Sequence, residues 1–418
     1  MGRLLSMAVG THGPKGRLFG MRRHAAVLAD RDFRWFFVGR TTSLLGSAMA
    51  SVAVAFAVLG TGGGGTALGE VMAARILPLV LMLLIGGACA DLLGSRAVML
   101  CADVLRCAAQ AAFAVLVLAG RPPLWAMLVL AVLSGVGEGA FGPALSALVP
   151  ALLPDEGLTQ ANALLQVAQS ATTVVGPALA GVLTAALGPA AVLAVDAASY
   201  AVSVLVLFRL PVALVAAGGR RSLTADLGAG WSAFRSRTWL WVTTVHIGLF
   251  NLLVWAPFLV LGPAVAEQSL GGSAAWGLVM AGYGGGAVLG GLALLGRRTP
   301  RPVLVGTLAT VGWALPSGAL ALRLPLGWIL VAALAAGVGS SVVGTLWATE
   351  TQRRVPPELR GRVSAYGSLG SFVLGPLGLA AAGPVAAAVG AAPVFAFGAL
   401  WQVVAVAVVV AVPAVRQG

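Results

Sequence analysis

Two long apolar segments of the chain meet at Gly86-Gly87-Ala88-Cys89-Ala90-Asp91-Leu92-Leu93-Gly94-Ser95-Arg96. About twenty residues of apolar sequence precede Asp91, which is the length that a helix needs to cross the hydrocarbon core of a bilayer. A core helix of a soluble protein does not end in this way. The charged groups of Asp91 and Arg96 therefore indicate a turn at a membrane surface.

The composition supports the same interpretation. Of the 418 residues, 59% are hydrophobic and only 9% are charged, whereas roughly a quarter of the residues of a soluble domain carry a charge. The formal charge of +13 does not indicate a nucleic-acid partner, because the basic residues come in small groups between apolar segments. The three cysteines have no histidine near them in sequence, so we expect no zinc site, disulfide framework or cofactor.

Apolar runs of about twenty residues predict twelve membrane spans, which keep the numbers 1 to 12 below. They cover residues 33–60, 67–90, 97–119, 123–146, 160–187, 190–208, 238–262, 274–296, 302–323, 326–347, 363–389 and 392–413. The long polar connection after span 6 divides the chain into a tail at 1–32, a six-helix bundle at 33–208, a linker at 209–237, a second six-helix bundle at 238–413 and a tail at 414–418. Within the linker, Leu223, Leu227, Trp231 and Phe234 recur at helical spacing, which predicts an amphipathic helix on the membrane surface.

The distribution of basic residues predicts the orientation of the chain. Of the 26 basic residues, 21 fall in the two tails, the linker and the turns that lie on the same side as the tails. The opposite side keeps only Arg121 and Arg323, and three arginines fall inside the spans. Because basic residues accumulate on the cytoplasmic side of a membrane, both termini are predicted to be cytoplasmic, in the cell membrane.

The two halves repeat each other at an offset of about two hundred residues. Val175-Gly176-Pro177-Ala178-Leu179-Ala180-Gly181 in span 5 corresponds to Leu374-Gly375-Pro376-Leu377-Gly378 in span 11. The prediction is an all-α integral membrane protein whose twelve transmembrane helices form two pseudo-symmetric six-helix bundles. Transporters built in this way bind their substrate at the midplane, between the repeats.

Gly87, Asp91, Gly94 and Arg96 resemble the signature loop between spans 2 and 3 of the major facilitator superfamily, although Leu92 and Ser95 replace residues that are usually basic there. The resemblance implies that Asp91 is a latch. Its carboxylate would bind the N-terminal end of span 11, near residues 361–364, when the cytoplasmic side is shut.

Two further patterns resemble particular branches of that family. Gly176, Pro177 and Gly181 are similar to a motif of exporters that exchange substrate for protons, with Ala180 in place of a glycine; a plain packing kink is the alternative. The segments after spans 4 and 10, residues 140–164 and 351–363, resemble the branch that contains the macrolide and enterobactin exporters. Thr159 is predicted to cap the helix of span 5.

Eight charged or imidazole side chains lie away from the ends of the predicted spans: Arg40, Glu70, Arg75, Asp103, Arg106, Glu138, Asp196 and His246. Each charged group costs about 2.5–3.5 kcal/mol at mid-membrane, so each needs a partner or water. At a rise of about 1.5 Å per residue, Arg40, Asp103, Arg106 and Glu138 lie roughly 8–14 Å from the cytoplasmic surface, and Glu70, Arg75 and Asp196 lie nearer the outer half.

Among these residues, Glu138 and Arg40 are the leading candidates to face substrate or a proton path, because spans 1 and 4 line the central cavity of the resembling family. We predict an ion pair between Glu138 and Arg106 that exchanges protons as the helices move. A static salt bridge between spans 3 and 4 is an equal alternative. Asp196 lies on a scaffold span, where a structural role is favoured.

Spans 7 and 10 supply further cavity candidates, and an isolated His246 is more often a buried imidazole with satisfied hydrogen bonds. These candidates are Thr244, His246, Asn251, Trp255, Ser340, Ser341 and Trp347. The chain has no ATP-binding loop, because its single lysine, Lys15, lies between Pro14 and Gly16. Transport is therefore secondary, or powered by another chain, and the bilayer, protons and a small-molecule substrate are the expected partners; no protein partner is evident.

The predicted function is proton-driven export of small amphipathic organic molecules such as drugs, antibiotics or siderophores. An importer of sugars or organic acids on the same fold is the main alternative, which the Gly-Pro element of span 5 disfavours. A membrane enzyme is disfavoured because the scattered acids form neither a metal motif nor a nucleophile constellation. A regulatory homologue without transport is a further alternative, suggested by Leu92 and Ser95.

Overall fold

Twelve long helices dominate the protein, as seen in a computed structural model that describes residues 27–120, 122–210, 231–295, 297 and 299–417. In chain order they are Arg31–Leu59, Gly64–Leu93, Ser95–Leu118, Leu124–Leu152, Asp155–Leu187, Pro189–Arg209, Thr238–Leu270, Gly272–Leu294, Pro302–Ala321, Leu326–Arg354, Pro357–Phe372 with Gly375–Val389, and Ala391–Ala411. A short helix at Pro413–Arg416 follows. All twelve predicted spans are present, and the described residues contain no strand.

Single glycines make the tightest turns between spans. Gly94, Gly188 and Gly390 join spans 2 and 3, 5 and 6, and 11 and 12, with φ angles of 84°, 80° and 88°. Only glycine adopts such angles without steric strain, which accounts for the glycine of the signature loop. Gly188 and Gly390 occupy corresponding places in the two halves, so the repeat extends to the turns.

The connections after spans 4 and 10 are shorter than predicted. Span 4 continues to Leu152 and span 5 begins at Asp155, so only Leu153 and Pro154 separate them. Thr159 therefore lies inside a helix, and the prediction that it caps span 5 is wrong. The polar residues of these segments are compatible with helix outside the bilayer, and proline, which lacks a backbone N–H, sets the break.

Several irregular turns occur in the second half of the chain. Span 7 extends to Leu270, eight residues beyond its predicted end, and contains π-helical turns at Asn251–Trp255 and Ala266–Leu270. Span 9 contains a 3₁₀ turn at Thr310–Trp313, and span 11 is interrupted between Phe372 and Gly375. Such turns inside long helices often mark hinges or functional sites.

The predicted linker helix falls mainly on residues 211–230, outside the described residues. From residue 231 the chain is helical again for one turn. Trp231 stacks there on Phe234, with ring centroids 5.9 Å apart, and both rings contact Tyr366 of span 11.

The two bundles are joined at one end of the molecule, here called the closed end, and not at the end that carries residues 31 and 411, here called the terminal end. At the closed end, a Cβ on Gly383 of span 11 would collide with the backbone of Gly65 and Thr66 in span 2, and one apolar core includes side chains of both bundles. At the terminal end, the described side chains form separate apolar cores, one in each bundle. The bundles are therefore joined at the closed end, and the described side chains at the terminal end pack within their own bundle.

Candidate functional site

An ion pair joins spans 2 and 4 in the first bundle. The Arg75 Nε and Nη2 atoms donate to Glu138 Oε2 at 3.0 Å and 2.7 Å. A glycine makes this contact possible, because a Cβ on Gly135 would collide with the carbonyl oxygen of Arg75. The side chains of Arg75 and Glu138 are 30% and 39% exposed. The pair is thus accessible to small molecules while it lies far inside two membrane-spanning helices.

The predicted ion pair between Glu138 and Arg106 is wrong. Arg106 instead donates to Asp103, one turn earlier on span 3, and Asp103 also accepts a hydrogen bond from Ser203 Oγ at 2.6 Å. The Arg106 guanidinium lies 4.5 Å from the Tyr200 ring centroid. These contacts hold Arg106 in the interior of the bundle. The long side chain of Arg75 extends to the level of Glu138 and forms the ion pair that was predicted for Arg106.

Two cations flank one aromatic ring behind this pair. The guanidinium carbon of Arg40 lies 4.6 Å from the Phe141 ring centroid, and that of Arg106 lies 4.7 Å from it. Within the described part of the chain, Arg40 has no ion-pair partner. Cation–π contacts of this kind are worth about 0.5–2 kcal/mol each and offset part of the cost of keeping a guanidinium away from water.

A cavity of about 70 Å³ extends from the Arg75–Glu138 pair into the interior of the first bundle. Spans 1, 2, 3, 4 and 6 all contribute to its lining. Its polar lining residues are Ser51, Arg75, Arg106, Gln110, Ser134, Glu138, Asp196 and Tyr200, and the remainder are apolar. Since a water molecule needs about 10–15 Å³ of such space, the cavity has room for a few water molecules.

His246 lies in the second bundle, away from the charged cluster. Its Nε2 is 3.2 Å from Thr310 Oγ1 on span 9, and its ring stacks on Trp401 of span 12, with centroids 6.0 Å apart. Gln402, beside Trp401, donates to the Thr310 carbonyl at 2.9 Å. The imidazole is buried in the packing between spans 7, 9 and 12.

Asn251 binds the interruption of span 11. Its Nδ2 donates to the carbonyl of Ser371 at 2.9 Å, just before the helix breaks. A carbonyl left without its intrahelical partner is costly in a bilayer, and a neighbouring side chain satisfies it here. The π-helical turn of span 7 starts at the same asparagine, so the two irregularities support each other.

Aromatic rings cluster in the second bundle around this π-helical turn. Trp255 lies 5.1 Å from Tyr283 and 5.6 Å from Phe258 between ring centroids, and Phe250 stacks on Trp313 at 3.6 Å. Trp255 and Tyr283 are half-buried, and Phe258 belongs to the apolar core that joins the bundles. The polar groups of the first bundle and the aromatic groups of the second differ sharply in chemistry.

The signature loop has a clear structural role in its second half. Arg96 donates from Nε to the Leu207 carbonyl at 2.9 Å and from Nη2 to the Phe208 carbonyl at 2.5 Å. Those carbonyls belong to the last turn of span 6, where helices leave such groups unpaired. Gly87 and Asp91 lie in the last turns of the helix of span 2, but their side-chain environment lies outside the described residues, so the latch stays a prediction.

The Gly-Pro element lies where span 5 packs against neighbouring helices. A Cβ on Gly176 would collide with Ala48 of span 1. Gly181 packs against span 8, where Ser273 Oγ donates to the Gly181 carbonyl at 3.2 Å and a Cβ on Gly277 would collide with the carbonyl of Pro177. The motif thus lies on the seam between the bundles, and close packing is at least one of its functions.

The profile of the Major Facilitator Superfamily matches residues 36–379. The chain belongs to the Major Facilitator Superfamily. It is therefore a multi-pass membrane transporter of small molecules and not an enzyme.

Two curated relatives in the superfamily carry the names of efflux proteins. The multidrug efflux pump Tap of Mycobacterium tuberculosis is 29% identical over 384 residues, which cover 89% of this chain and 91% of that one. Macrolide efflux protein A of Streptococcus pyogenes is 24% identical over 366 residues, which cover 83% of this chain and 87% of that one. The predicted resemblance to the macrolide exporter branch is confirmed.

Solved structures of superfamily transporters share the fold. The nucleoside transporter NupG superposes with a TM-score of 0.71 at 14% identity and covers 91% of this chain and 98% of its own. A bacterial homologue of the iron transporter ferroportin in an inward-facing state superposes with a TM-score of 0.68 at 19% identity. The superposition covers 91% of this chain and 99% of that one. At these identities the likeness concerns the fold alone.

Sequence reasoning missed several residues of this site. It named Arg75 as ionisable without pairing it to Glu138, and it did not single out Gln110, Ser134 or Tyr200. Each of these lies on a mostly apolar span that carries at least one other charged residue, so a search for further polar residues near the charged ones would have found them. Their convergence on one cavity could not be read from depth alone.

Proposed function

We propose that this transporter is a proton-coupled exporter of small amphipathic organic molecules in the cell membrane. The observation that carries the proposal is the accessible Arg75–Glu138 ion pair, held within two membrane spans. Charged groups at this depth are rare and are typical of ion and substrate paths. The efflux names of the relatives support the outward direction.

The orientation of the chain follows from the basic residues. Because most of the basic residues outside the spans lie on the side of the tails, the terminal end is cytoplasmic in this proposal. The form described above, sealed at the closed end, is then open to the cytoplasm. Cargo would enter between the bundles from the cytoplasm or the inner leaflet and leave on the other side after the bundles rock.

Glu138 is the proposed exchange site for protons. When its carboxylate binds a proton, the charge that holds Arg75 disappears and the two hydrogen bonds lose their charge assistance. When the proton leaves, the ion pair forms again. The contact between spans 2 and 4 therefore has two states, one with a charged Glu138 and one with a neutral Glu138. Alternating access exposes this site to the two sides of the membrane in turn, which couples proton movement to the transport of cargo.

The energy available to one proton is sufficient for efflux. A membrane potential of 100 mV supplies about 2.3 kcal/mol per charge moved, and at about 1.4 kcal/mol per tenfold ratio this sustains a cargo gradient of roughly fortyfold. Any pH difference adds to this value. No nucleotide is needed.

The two bundles offer different surfaces to the cargo. The first presents Glu138 and Arg75, and the second presents the half-buried rings of Trp255 and Tyr283. A molecule with a charged or polar group and an apolar ring system can use both, since aromatic faces bind apolar bodies and cations. This combination supports drugs and antibiotics as cargo more than sugars.

The test uses purified protein in liposomes with the macrolide erythromycin as probe. We expect an imposed pH gradient to drive accumulation of erythromycin by the wild type. In Glu138→Gln, the rate of pH-driven erythromycin accumulation should be at least tenfold lower than in the wild type, while equilibrium exchange of labelled erythromycin continues. Glu267→Gln, at an exposed site near the closed end, is the matched control and should transport normally.

The proposal is contradicted if Glu138→Gln couples transport to the pH gradient as the wild type does. It is also contradicted if the wild type ignores the pH gradient, or if it accumulates labelled sugars or organic acids and not the macrolide. The last result would favour an importer.

A further inference from the structure

The inner end of the cavity is formed by Asp196 of span 6. This residue is 1% exposed and accepts a hydrogen bond from Gln110 Nε2 at 2.6 Å. Within the described part of the chain, no cation lies at ion-pair distance from its carboxylate. Span 1 packs directly against it, since a Cβ on Gly46 would lie 2.6 Å from Asp196 Oδ1.

This environment differs from that of the neighbouring carboxylates. Asp103 has Arg106, and Glu138 has Arg75, whereas the described partners of the Asp196 carboxylate are neutral: the Gln110 amide at 2.6 Å and the Ser199 hydroxyl at 3.5 Å. Buried charges in proteins are paired, and isolated ones adopt their neutral form. The amide of Gln110 can donate to either the neutral or the charged form of the acid, so this hydrogen bond permits both.

The cavity connects Asp196 with the accessible ion pair. Both Asp196 and Glu138 line it, and the space between them has room for a few water molecules. The titratable or charged groups that face Asp196 from the surrounding helices are Arg75 of span 2, Arg106 and Cys107 of span 3, Glu138 of span 4 and Tyr200 of span 6 itself. Span 1 contributes Gly46 and Ser47, which do not titrate.

Most of these groups have fixed partners. Arg106 is held by Asp103, and the hydroxyl of Tyr200 lies 2.9 Å from that of Ser47. Arg75 differs, because its partner Glu138 faces the cavity. When Glu138 is neutralised, the freed guanidinium of Arg75 remains in the cavity and can compensate a charge on Asp196.

We propose that Asp196 is a second proton-binding residue of the transport cycle and that it exchanges its proton with Glu138 through the cavity. In the transfer, the O–H bond of the Asp196 carboxyl group breaks and an O–H bond forms on the Glu138 carboxylate, with water as the relay. The negative charge moves from Glu138 to Asp196. The inference rests on the proposed proton coupling and adds a residue on a scaffold helix to it.

The experiment compares Asp196→Asn with wild-type protein in liposomes, again with erythromycin. Asparagine keeps the size of the side chain and an oxygen for Gln110 but cannot carry a proton. We expect equilibrium exchange within about twofold of the wild type and at least a tenfold loss of pH-driven transport. Asp196→Glu should restore part of the coupling, and Glu267→Gln, at the exposed site used as the control above, should couple normally.

A second measurement keeps the proposal testable if Asp196→Asn folds poorly in liposomes. Infrared difference spectra of the wild type between acidic and alkaline pH should contain a carboxylic-acid carbonyl band that Asp196→Asn lacks in detergent. Normal pH-driven transport by Asp196→Asn, or spectra identical to those of the wild type, would overturn the inference. If Glu138→Gln loses coupling while Asp196→Asn keeps it, the inference fails and the proposed function stands; if the wild type itself shows no coupling, both fail.

Discussion

At the scale of single residues, the partner of Glu138 decides what the first bundle can do. A pair with Arg106 would be fully buried, because Arg106 lies between aromatic rings and Asp103. The observed pair with Arg75 is accessible. A proton or a charged cargo molecule can therefore reach Glu138 without unfolding the bundle.

We expect the Arg75–Glu138 pair to stabilise the protein as a unit. Arg75→Gln or Glu138→Gln alone leaves an unpaired charge among the helices, and each should lower the thermal unfolding temperature in detergent. The double variant removes both charges and should lose less than the sum. Water screens a pair that is about one-third exposed, so we expect a coupling energy of about 1 kcal/mol and not the 3–5 kcal/mol of a fully buried pair.

The matched control combines Arg75→Gln with Glu267→Gln at the closed end, and these two distant changes should be additive. Additive losses for Arg75→Gln and Glu138→Gln would mean that the pair contributes nothing to stability.

The sequence shows which residues in the spans are ionisable, but it did not predict which of them form ion pairs. Depth along a span follows from counting residues, and Glu138 stays a candidate because span 4 lines the central cavity of the resembling family. The direction of each side chain depends on helix rotation and on close packing at glycines such as Gly135 and Gly137, which hydrophobic periodicity does not resolve in spans that are apolar on all sides. The pairing could therefore not be predicted.

At the scale of helices, the twelve spans and the tight turns follow directly from sequence. Gly94, Gly188 and Gly390 each interrupt an apolar run, and each takes a positive φ angle. The π-helical turns of span 7 and the break in span 11 were not predicted from the sequence. They depend on a contact between two distant spans, the hydrogen bond from Asn251 to the Ser371 carbonyl, which no local pattern reveals.

Close packing between spans 5 and 8 predicts a sharp sensitivity to size at Gly277. A Cβ there would collide with the Pro177 carbonyl and lie 2.8 Å from the Gly181 Cα atom. Gly277→Ala should push the helices apart at a cost of about 1–3 kcal/mol, which lowers both the unfolding temperature and the transport rate. Gly285→Ala on the same span, where a Cβ meets nothing within 4 Å, is the control.

Erythromycin transport and thermal unfolding measure both effects. If Gly277→Ala and Gly285→Ala behave alike, the Gly-Pro element is not part of a tightly packed seam.

At the scale of the whole molecule, the two bundles are joined at the closed end, whereas the described side chains at the terminal end pack within their own bundle. The apolar core shared by the bundles lies at the closed end. The predicted latch at Asp91 acts at the opposite end. It belongs to the alternative form, in which the terminal end is shut.

Asp91→Asn should therefore shift the population toward the form described here. Spin labels at Ala151 and Arg353, which are exposed at the terminal ends of spans 4 and 10, measure the opening in a background without the three cysteines. We expect a larger share of the long distance in Asp91→Asn than in the parent protein, and no change in Asp32→Asn at the start of span 1. Identical distance distributions would remove the latch from the account.

The most direct test of alternating access measures both ends of the molecule under the same conditions. A second pair of labels reports on the closed end, with one label at Thr61 in the turn after span 1 and the other at Gln268 in the last turn of span 7. We expect erythromycin and changes of pH to lengthen the closed-end distance whenever they shorten the terminal-end distance. If the two distances change in the same direction, or if neither responds, the two bundles do not alternate and the central claim is contradicted.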